Sequence, residues 1–479
     1  MSPLWTAAEI AEATGGSVHG AFDVAGAAFD SREIGPGDLF IAMKGEAMDG
    51  HRFVDQAFAS GAAGALVSED AAHPHVRVAD TTQALNDLAR ASRARSRGKI
   101  VGVTGSVGKT GTKEALFAAL DRSAPGRAHR SVKSYNNHTG VPLSLVRMPR
   151  AAKYGVFEMG MNHAGELAAL TRLVRPHVAI VTTIAPAHRE FFASDAEIAT
   201  AKGEIFQGLE EGGTAIVPFD SPHRDRLIAA ARPHAGRIVT FGLGEGADVR
   251  ATYVVRGPKG GSMVTAQLPD AQLSFTIGQP GEHWVANALA VLAAVQALGG
   301  DLGAAGLALA ELGGLKGRGE RHRLKLEGGE ALLIDESYNA NPASMAATLK
   351  VLGDEPVSGR RIAVLGSMRE LGPDSDDFHA ALADPLEAAH VDYAILVGPE
   401  MNALAKALGG LVKMAHVPDA AAALPLARGA IGPGDALLVK GSNSIGLAAL
   451  VEALAGGPSS QFIQSDAAGD VEGLGTGNN

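Results

Sequence analysis

KIVGVTGSVGKTGTKEALF, residues 99 to 117, reads as a buried strand, a glycine-bearing loop and the start of a helix. That order is the context a phosphate-binding loop requires. Gly105 and Gly108 let the backbone turn tightly, so that the amides of Gly105, Ser106, Val107 and Gly108 can face a bound phosphate. The helix opened by Thr110 adds its N-terminal partial positive charge. Lys109 would neutralise the outer phosphates, and the Thr110 hydroxyl would join a Mg²⁺ shell. The usual pattern, G-x-x-x-x-G-K-[ST], puts its first glycine at 103, where this chain has Val103. A glycine turn carrying an exposed lysine is the plain alternative.

Outward from this stretch the chain keeps the same grammar. KIVGVTG, YGVFEMG, HVAIVTTIA and GTAIVPFD are short, branched apolar runs, each followed by turn or helix-start residues. Such runs suit strands buried on both faces of a mainly parallel sheet. From Asp248 to Ile277 the pattern changes to antiparallel strands, and HWVANALAVLAAVQAL then predicts a helix with Trp284, Ala288, Val291 and Val295 on one face. EALLIDESYNANPASM, RRIAVLGS, YAILVGP and DALLVKGSNSIG repeat the strand-to-helix order in a third region. The expected fold class is α/β in three domains: a small N-terminal α/β domain (1–97), a central P-loop parallel-sheet domain (98–318) and a C-terminal Rossmann-like domain (319–455). Residues 456–479, rich in Gly, Ser, Asp and Asn, are expected to form a disordered tail.

Composition narrows the chemistry. Hydrophobic residues make up 46% of the 479 and charged residues 20%, which suits a globular chain of several domains. There is no cysteine, which excludes disulfides, thiolate metal sites and a cysteine nucleophile. The net charge of −10 argues against non-specific nucleic-acid binding. The start, with Glu9 and Glu12 and no basic region before an apolar run, does not resemble a signal peptide. The longest apolar segment is short for a membrane span. A soluble cytoplasmic protein, monomeric by default, is the expectation.

Polar residues gather where parallel strands end, the place where such sheets bind ligands. Glu158 closes YGVFEMG and His188 follows HVAIVTTIA; a strand-end carboxylate beside a P-loop suits Mg²⁺, though each could be a plain exposed residue. Lys202 reads locally as a solvated lysine at a helix start. His283 and Asn287 lie one helical turn apart, as a base-recognition pair or a polar helix edge. In IDESYNANP, two acids end a strand before Asn339 and Asn341; Asn-rich loops are also common turn chemistry. Lys440 and Ser442 could contact an anion, as could Ser31, Arg32 and His51 in the first region, where Gly35, Pro36, Gly37 and Gly50 make turns.

Together these pieces resemble the Mur ligases of peptidoglycan synthesis, in one consistent order over nearly all of residues 1 to 455. The family uses a short P-loop, T-G-[TS]-x-G-K-T, matched by TGSVGKT at Thr104 to Thr110, and this accounts for Val103. Within the family the likeness is to the branch that adds D-alanyl-D-alanine to UDP-N-acetylmuramoyl-tripeptide. It rests on DSREIGPGDLFIAMKGEAMDGH, YNNHTGVPLSL, FEMGMNHAGEL, AKGEIFQGL and, most diagnostically, DESYNANPASM. The diaminopimelate-adding branch carries a D-N-P-R motif, and no such tetrapeptide occurs here. The resemblance implies ATP-dependent amide formation through an acyl phosphate, with ATP and two Mg²⁺ ions as cofactors. Another amide ligase of the superfamily, including a folylpolyglutamate synthetase, is the alternative; a P-loop switch protein is a more distant one.

Carried over position by position, the likeness gives Lys109 and Thr110 the phosphates and a first Mg²⁺, and Glu158 and His188 the metal. Lys202 matches a lysine carbamylated in several Mur ligases, which would support a second Mg²⁺. Asn287 would contact adenine, Arg318 the ATP phosphates, and Asp335 the nucleotide. Asn339, Asn341, Lys440 and Ser442 would seat D-alanyl-D-alanine or the ATP end of the cleft. Asn136, Asn137 and Thr139 would meet the tripeptide, and Ser31 and Arg32 its UDP-sugar. Arg189, Trp284 and Ser367 depart from residues common in relatives. Three domains around one ATP site imply hinge closure.

Overall fold

The computed structural model describes residues 3–45, 48–187, 189–257, 260–456 and 461–462. The chain is α/β, and its described residues form three main sheets. The first, of five strands, has the order Ser17–His19, His75–Arg77, Gly64–Val67, Asp38–Ile41, Gly26–Ala28. Its first pair is antiparallel and the rest parallel.

The central sheet runs Ala271–Ile277, Ser262–Leu268, Val249–Arg256, Arg237–Gly242, Thr214–Pro218, Val178–Val181, Lys99–Thr104, Tyr154–Glu158, Ala128–Arg130. From Val249–Arg256 onward every pairing is parallel. The other two strands pair antiparallel, as the changed pattern after Asp248 predicts. Every residue of Val178–Val181 and Thr214–Pro218 is buried, the mark of strands covered on both faces.

The C-terminal sheet has the order Lys413–Val417, Tyr393–Val397, Arg361–Gly366, Ala436–Lys440, Gly329–Glu336, Glu320–Leu326, Gln461–Phe462. Its last two pairings are antiparallel. The tail expected from 456 therefore includes a short strand; its remaining residues after Gly456 lie outside the described ones. The carboxyl ends of Lys99–Thr104 and Tyr154–Glu158 in one sheet, and of Gly329–Glu336 and Ala436–Lys440 in the other, open onto one cleft.

One helix is buried more fully than its expected face. The helix Glu282–Ala297 is not apolar on one face only: Val285, Leu289, Leu292 and Ala293 are buried along with Trp284, Ala288, Val291 and Val295. It lies between the central sheet and the helices Lys109–Ser123 and Leu302–Glu311, so it has almost no solvent side. The helix just before the expected boundary at 97 is docked on the central region. Thr81–Arg95 buries Arg93, whose guanidinium donates to the carbonyls of Val174 and Arg175 at 2.7 Å and to Glu210 at 2.9 Å. One continuous apolar core runs from Leu4 and Leu88 through Ile100 and Val141 to Leu227.

Candidate active site

The loop after Lys99–Thr104 is held open by glycine. Gly105 has φ 150° and Gly108 φ 89°, and a Cβ on Gly105 would lie 1.9 Å from the Thr182 hydroxyl. The loop backbone is pinned to the neighbouring strand end: Ser106 N donates to Thr183 O at 2.7 Å, and Thr182 Oγ1 to Val107 O at 2.5 Å. No side chain caps the helix Lys109–Ser123, which leaves its first-turn amides for a ligand. Lys109 folds back, its Nζ donating to Gly105 O at 2.6 Å. Burial pushes this ammonium below the usual lysine range, Glu158 opposes the shift, and Arg318 adds repulsion.

Glu158 ends its strand fully buried. It accepts from Thr110 Oγ1 at 3.0 Å and from Asn136 Nδ2 at 2.8 Å. Lys113, one helical turn beyond Lys109, stands 3.9 Å from the same carboxylate. It is fully buried and donates to the carbonyls of Ser131 at 3.0 Å and Lys133 at 2.7 Å. Sequence reasoning missed Lys113; the available signal was its place on the inner face of the P-loop helix, four residues after Lys109.

The local reading of Lys202 as a solvated lysine at a helix start is overturned. It lies near the end of Asp195–Gly203, among the buried Ile198, Ala199, Ala201 and Gly203. Burial holds its amine well below the ordinary lysine range, and nearby Lys109 adds to the shift. His188 lies outside the described residues.

The opposite wall belongs to the C-terminal sheet. Lys440 is buried and donates to Asn339 O at 2.9 Å, with Glu336 Oε2 at 3.5 Å. Burial lowers the Lys440 pKa and raises that of Glu336, with each partner's charge opposing the shift. Ser442 Oγ accepts from Arg369 N at 2.9 Å. Asn341 caps the helix Pro342–Gly353, and Arg318 lies over the Tyr338 ring at 4.2 Å. His283 reaches the same cleft, its pKa pushed down to about 4 mainly by burial, with Lys440 adding repulsion. The cleft has a volume of about 550 Å³ and brings Lys109, Thr110, Glu158, Asn136, Asn287 and Arg318 together with Asn339, Asn341, Lys440 and Ser442. Asn287 rests against Gly108, and Trp284 packs on Gly111 at the base of the P-loop helix.

Other expected residues stand outside this cleft. Asp335 is buried behind its wall, its oxygens accepting from the amides of Gly317 at 2.9 Å and Ser337 at 3.0 Å. It fixes the turn that carries Arg318. Asn137 caps its own turn, accepting from Thr139 N at 3.3 Å and Thr139 Oγ1 at 3.0 Å. Ser31 donates to Gln56 at 3.3 Å, and Arg32 is exposed and paired with Asp30 at 2.6 Å. Their neighbour Glu33 does reach the central region, accepting from Tyr135 Oη at 2.8 Å and from Lys133 Nζ. His51 braces a turn through Asp49 at 2.6 Å and Ser68 N at 2.8 Å. Of the departures, Arg189 bridges to Asp374 of the C-terminal region at 3.1 Å, and Ser367 is buried, donating to Val397 O at 3.3 Å.

Three family profiles match in order: "Mur ligase family, catalytic domain" over 23–93, "Mur ligase middle domain" over 103–295, and "Mur ligase, glutamate ligase domain" over 317–443. The UDP-N-acetylmuramoyl-tripeptide–D-alanyl-D-alanine ligase of Escherichia coli (strain K12) is 37% identical over 430 residues, covering 89% of this chain and 92% of its own. A crystal structure of MurF from Acinetobacter baumannii superposes with a TM-score of 0.81 at 34% identity, covering 94% of this chain and 98% of that one. MurF ligase from Thermotoga maritima in complex with ADP gives a TM-score of 0.73 at 26% identity, covering 89% and 96%. These likenesses span all three sheets and both walls of the cleft, and the chain belongs to the Mur ligase family, ATP-dependent ligases that form amide bonds.

Proposed function

We propose that this chain joins D-alanyl-D-alanine to the terminal carboxylate of UDP-N-acetylmuramoyl-tripeptide, with ATP cleaved to ADP and phosphate. The observation that carries the reading is the meeting, in one cleft, of the P-loop wall with the Asn339–Asn341 and Lys440–Ser442 wall. A single-wall nucleotide switch has no use for the second.

A carboxylate oxygen is a poor leaving group. Its attack on the γ-phosphate of ATP forms a C–O–P bond and releases ADP. The dipeptide amine then adds to the acyl carbon, forms the C–N bond and loses a proton, and phosphate departs. Two anions must meet in the first step, so cations at Lys109, Arg318 and Lys440 lower its barrier. Lys109 and the uncapped first turn hold the phosphates, and Asn287 borders the nucleotide. Asn136 faces the tripeptide, while Asn339 and Asn341 shape the dipeptide end.

The donor set suits Mg²⁺. A buried carboxylate and a hydroxyl at 3.0 Å, Glu158 and Thr110, offer hard oxygen ligands, with His188 as a further candidate. The ion supplies neutralisation of phosphate charge when bound. Burial lowers the Lys202 pKa and so favours the free amine that CO₂ addition needs; the N–C bond forms, one proton leaves, and a neutral amine becomes a carbamate anion.

The test supplies UDP-N-acetylmuramoyl-tripeptide, ATP and a series of amines and follows phosphate release. Turnover with D-alanyl-D-alanine is expected. Turnover with glutamate or meso-diaminopimelate and none with the dipeptide would overturn the assignment.

A further inference from the structure

At the edge of the N-terminal sheet, far from the cleft lining, the strands Ser17–His19 and His75–Arg77 pair antiparallel with His19 directly opposite His75. The two imidazoles stack at 4.5 Å with 4° between their planes. Asp70, on the turn between Gly64–Val67 and His75–Arg77, completes a trio: one nitrogen from each histidine and one carboxylate oxygen lie within 4.8 Å of one another. We propose that His19, Asp70 and His75 form a binding site for one first-row divalent cation, with Zn²⁺ the best match.

His75 carries the argument. It is 3% exposed, and its Nδ1 lies 2.8 Å from the His73 carbonyl, a contact that requires Nδ1 to hold the proton. Nε2 is then a bare lone pair, and it is buried with no hydrogen-bond partner. Leaving such an acceptor unsatisfied is costly, and a metal ion would satisfy it. A backbone carbonyl that fixes the other ring nitrogen is also how metal-binding histidines are oriented.

The other two ligands are adjustable. His19 is exposed on a three-residue edge strand, with its Nε2 at 3.1 Å from Ser17 Oγ. Asp70 is exposed and accepts from Arg77 Nη1 at 2.8 Å through one oxygen, which leaves the second available. Ligands about 2.1 Å from a tetrahedral zinc stand roughly 3.4 Å apart, so His19 and Asp70 must close on the fixed His75. Two imidazoles and a carboxylate suit Zn²⁺, with water in the fourth position; Mg²⁺ prefers oxygen alone. The nearby Arg77 weakens the site without filling it. A bound ion would tie the exposed edge strand to its neighbour and to the 68–74 turn.

The experiment titrates Zn²⁺ into the metal-free full-length protein by calorimetry at pH 7.5, in excess Mg²⁺ to occupy oxygen-ligand sites. One Zn²⁺ per chain is expected at this site. His19→Ala and Asp70→Asn, both exposed and checked by circular dichroism, should each weaken that event at least tenfold. Ligation should be unaffected in both. An isotherm unchanged in both variants, or no zinc uptake by the wild type beyond theirs, would overturn the proposal.

Discussion

The N-terminal and C-terminal regions are joined to the central sheet in different ways. The N-terminal region shares its main apolar core with the central one: Trp5, Leu85 and Leu88 belong to the same buried cluster as Val146, Phe157 and Leu170. Trp5 Nε1 donates to Val146 O at 3.0 Å and Ser92 Oγ to Leu145 O at 2.6 Å across that seam. The C-terminal region instead has two cores drawn wholly from residues 324–455. It meets the central region through ion pairs around the cleft: Arg189 with Asp374 at 3.1 Å, Lys350 with Glu282 at 2.8 Å, Arg256 with Glu355 at 3.5 Å. Apolar burial resists separation, whereas an exposed ion pair such as Lys350–Glu282 contributes only about 0–1 kcal/mol. The hinge closure expected of three domains around one ATP site would therefore fall at the C-terminal joint.

The largest effect is expected where the walls meet. Lys109→Ala should lower kcat by about 10³-fold with the fold intact, as loss of a charge-stabilising group does. Lys440→Ala, on the movable wall, should cost about 10²-fold; near-normal turnover would reduce that wall to a cover. Next in size are the cores. Leu88→Ala should cost about 2–5 kcal/mol and lower the thermal transition shared by the N-terminal and central regions. Leu349→Ala should act on a separate C-terminal transition, and a single transition lowered alike by both would contradict the two-joint picture.

Lys113→Met tests positioning. By releasing the 131–133 carbonyls and the Glu158 side, it should raise the Mg²⁺ concentration needed for half-maximal activity several-fold while D-alanyl-D-alanine KM stays put. Acid provides a smaller effect. His129 and His283 are each pushed by burial from the ordinary 6.5 to about 4. Their contribution to stability is fully present above 6.5 and is lost as pH falls toward 4, because the unfolded chain then binds more protons. Denaturant midpoints should fall over that window, and His129→Asn should flatten the slope. The smallest expected change is Arg256→Ala: within about 1 kcal/mol in stability, but visible as faster proteolysis of the C-terminal hinge without ATP.

The P-loop, the strand-end Glu158 and the Asn339–Asn341 loop were legible because each is local: a few adjacent residues fix both backbone and chemistry. The long-range part was not. Lys202 reads as a helix-surface lysine, and Lys113 draws no notice, because nothing nearby in sequence shows that sheet and helices close over them. Asp335 accepts from two amides brought to it by the turn at Gly317, and Asn137 from the amides of Thr139 and Gly140, partners set by backbone geometry that the loop sequences do not announce. The docking of Thr81–Arg95 was hidden for a similar reason, since Arg93 finds its carbonyl partners some eighty residues away.

In the proposed reaction both walls act on one ATP to activate a carboxylate. The direct measurement uses tripeptide substrate labelled with ¹⁸O in its terminal carboxylate, with ATP and D-alanyl-D-alanine, and mass analysis of the released phosphate. Attack of that carboxylate on the γ-phosphate predicts one ¹⁸O in every phosphate, released in step with the amide product. Unlabelled phosphate, or release independent of the dipeptide, would contradict it.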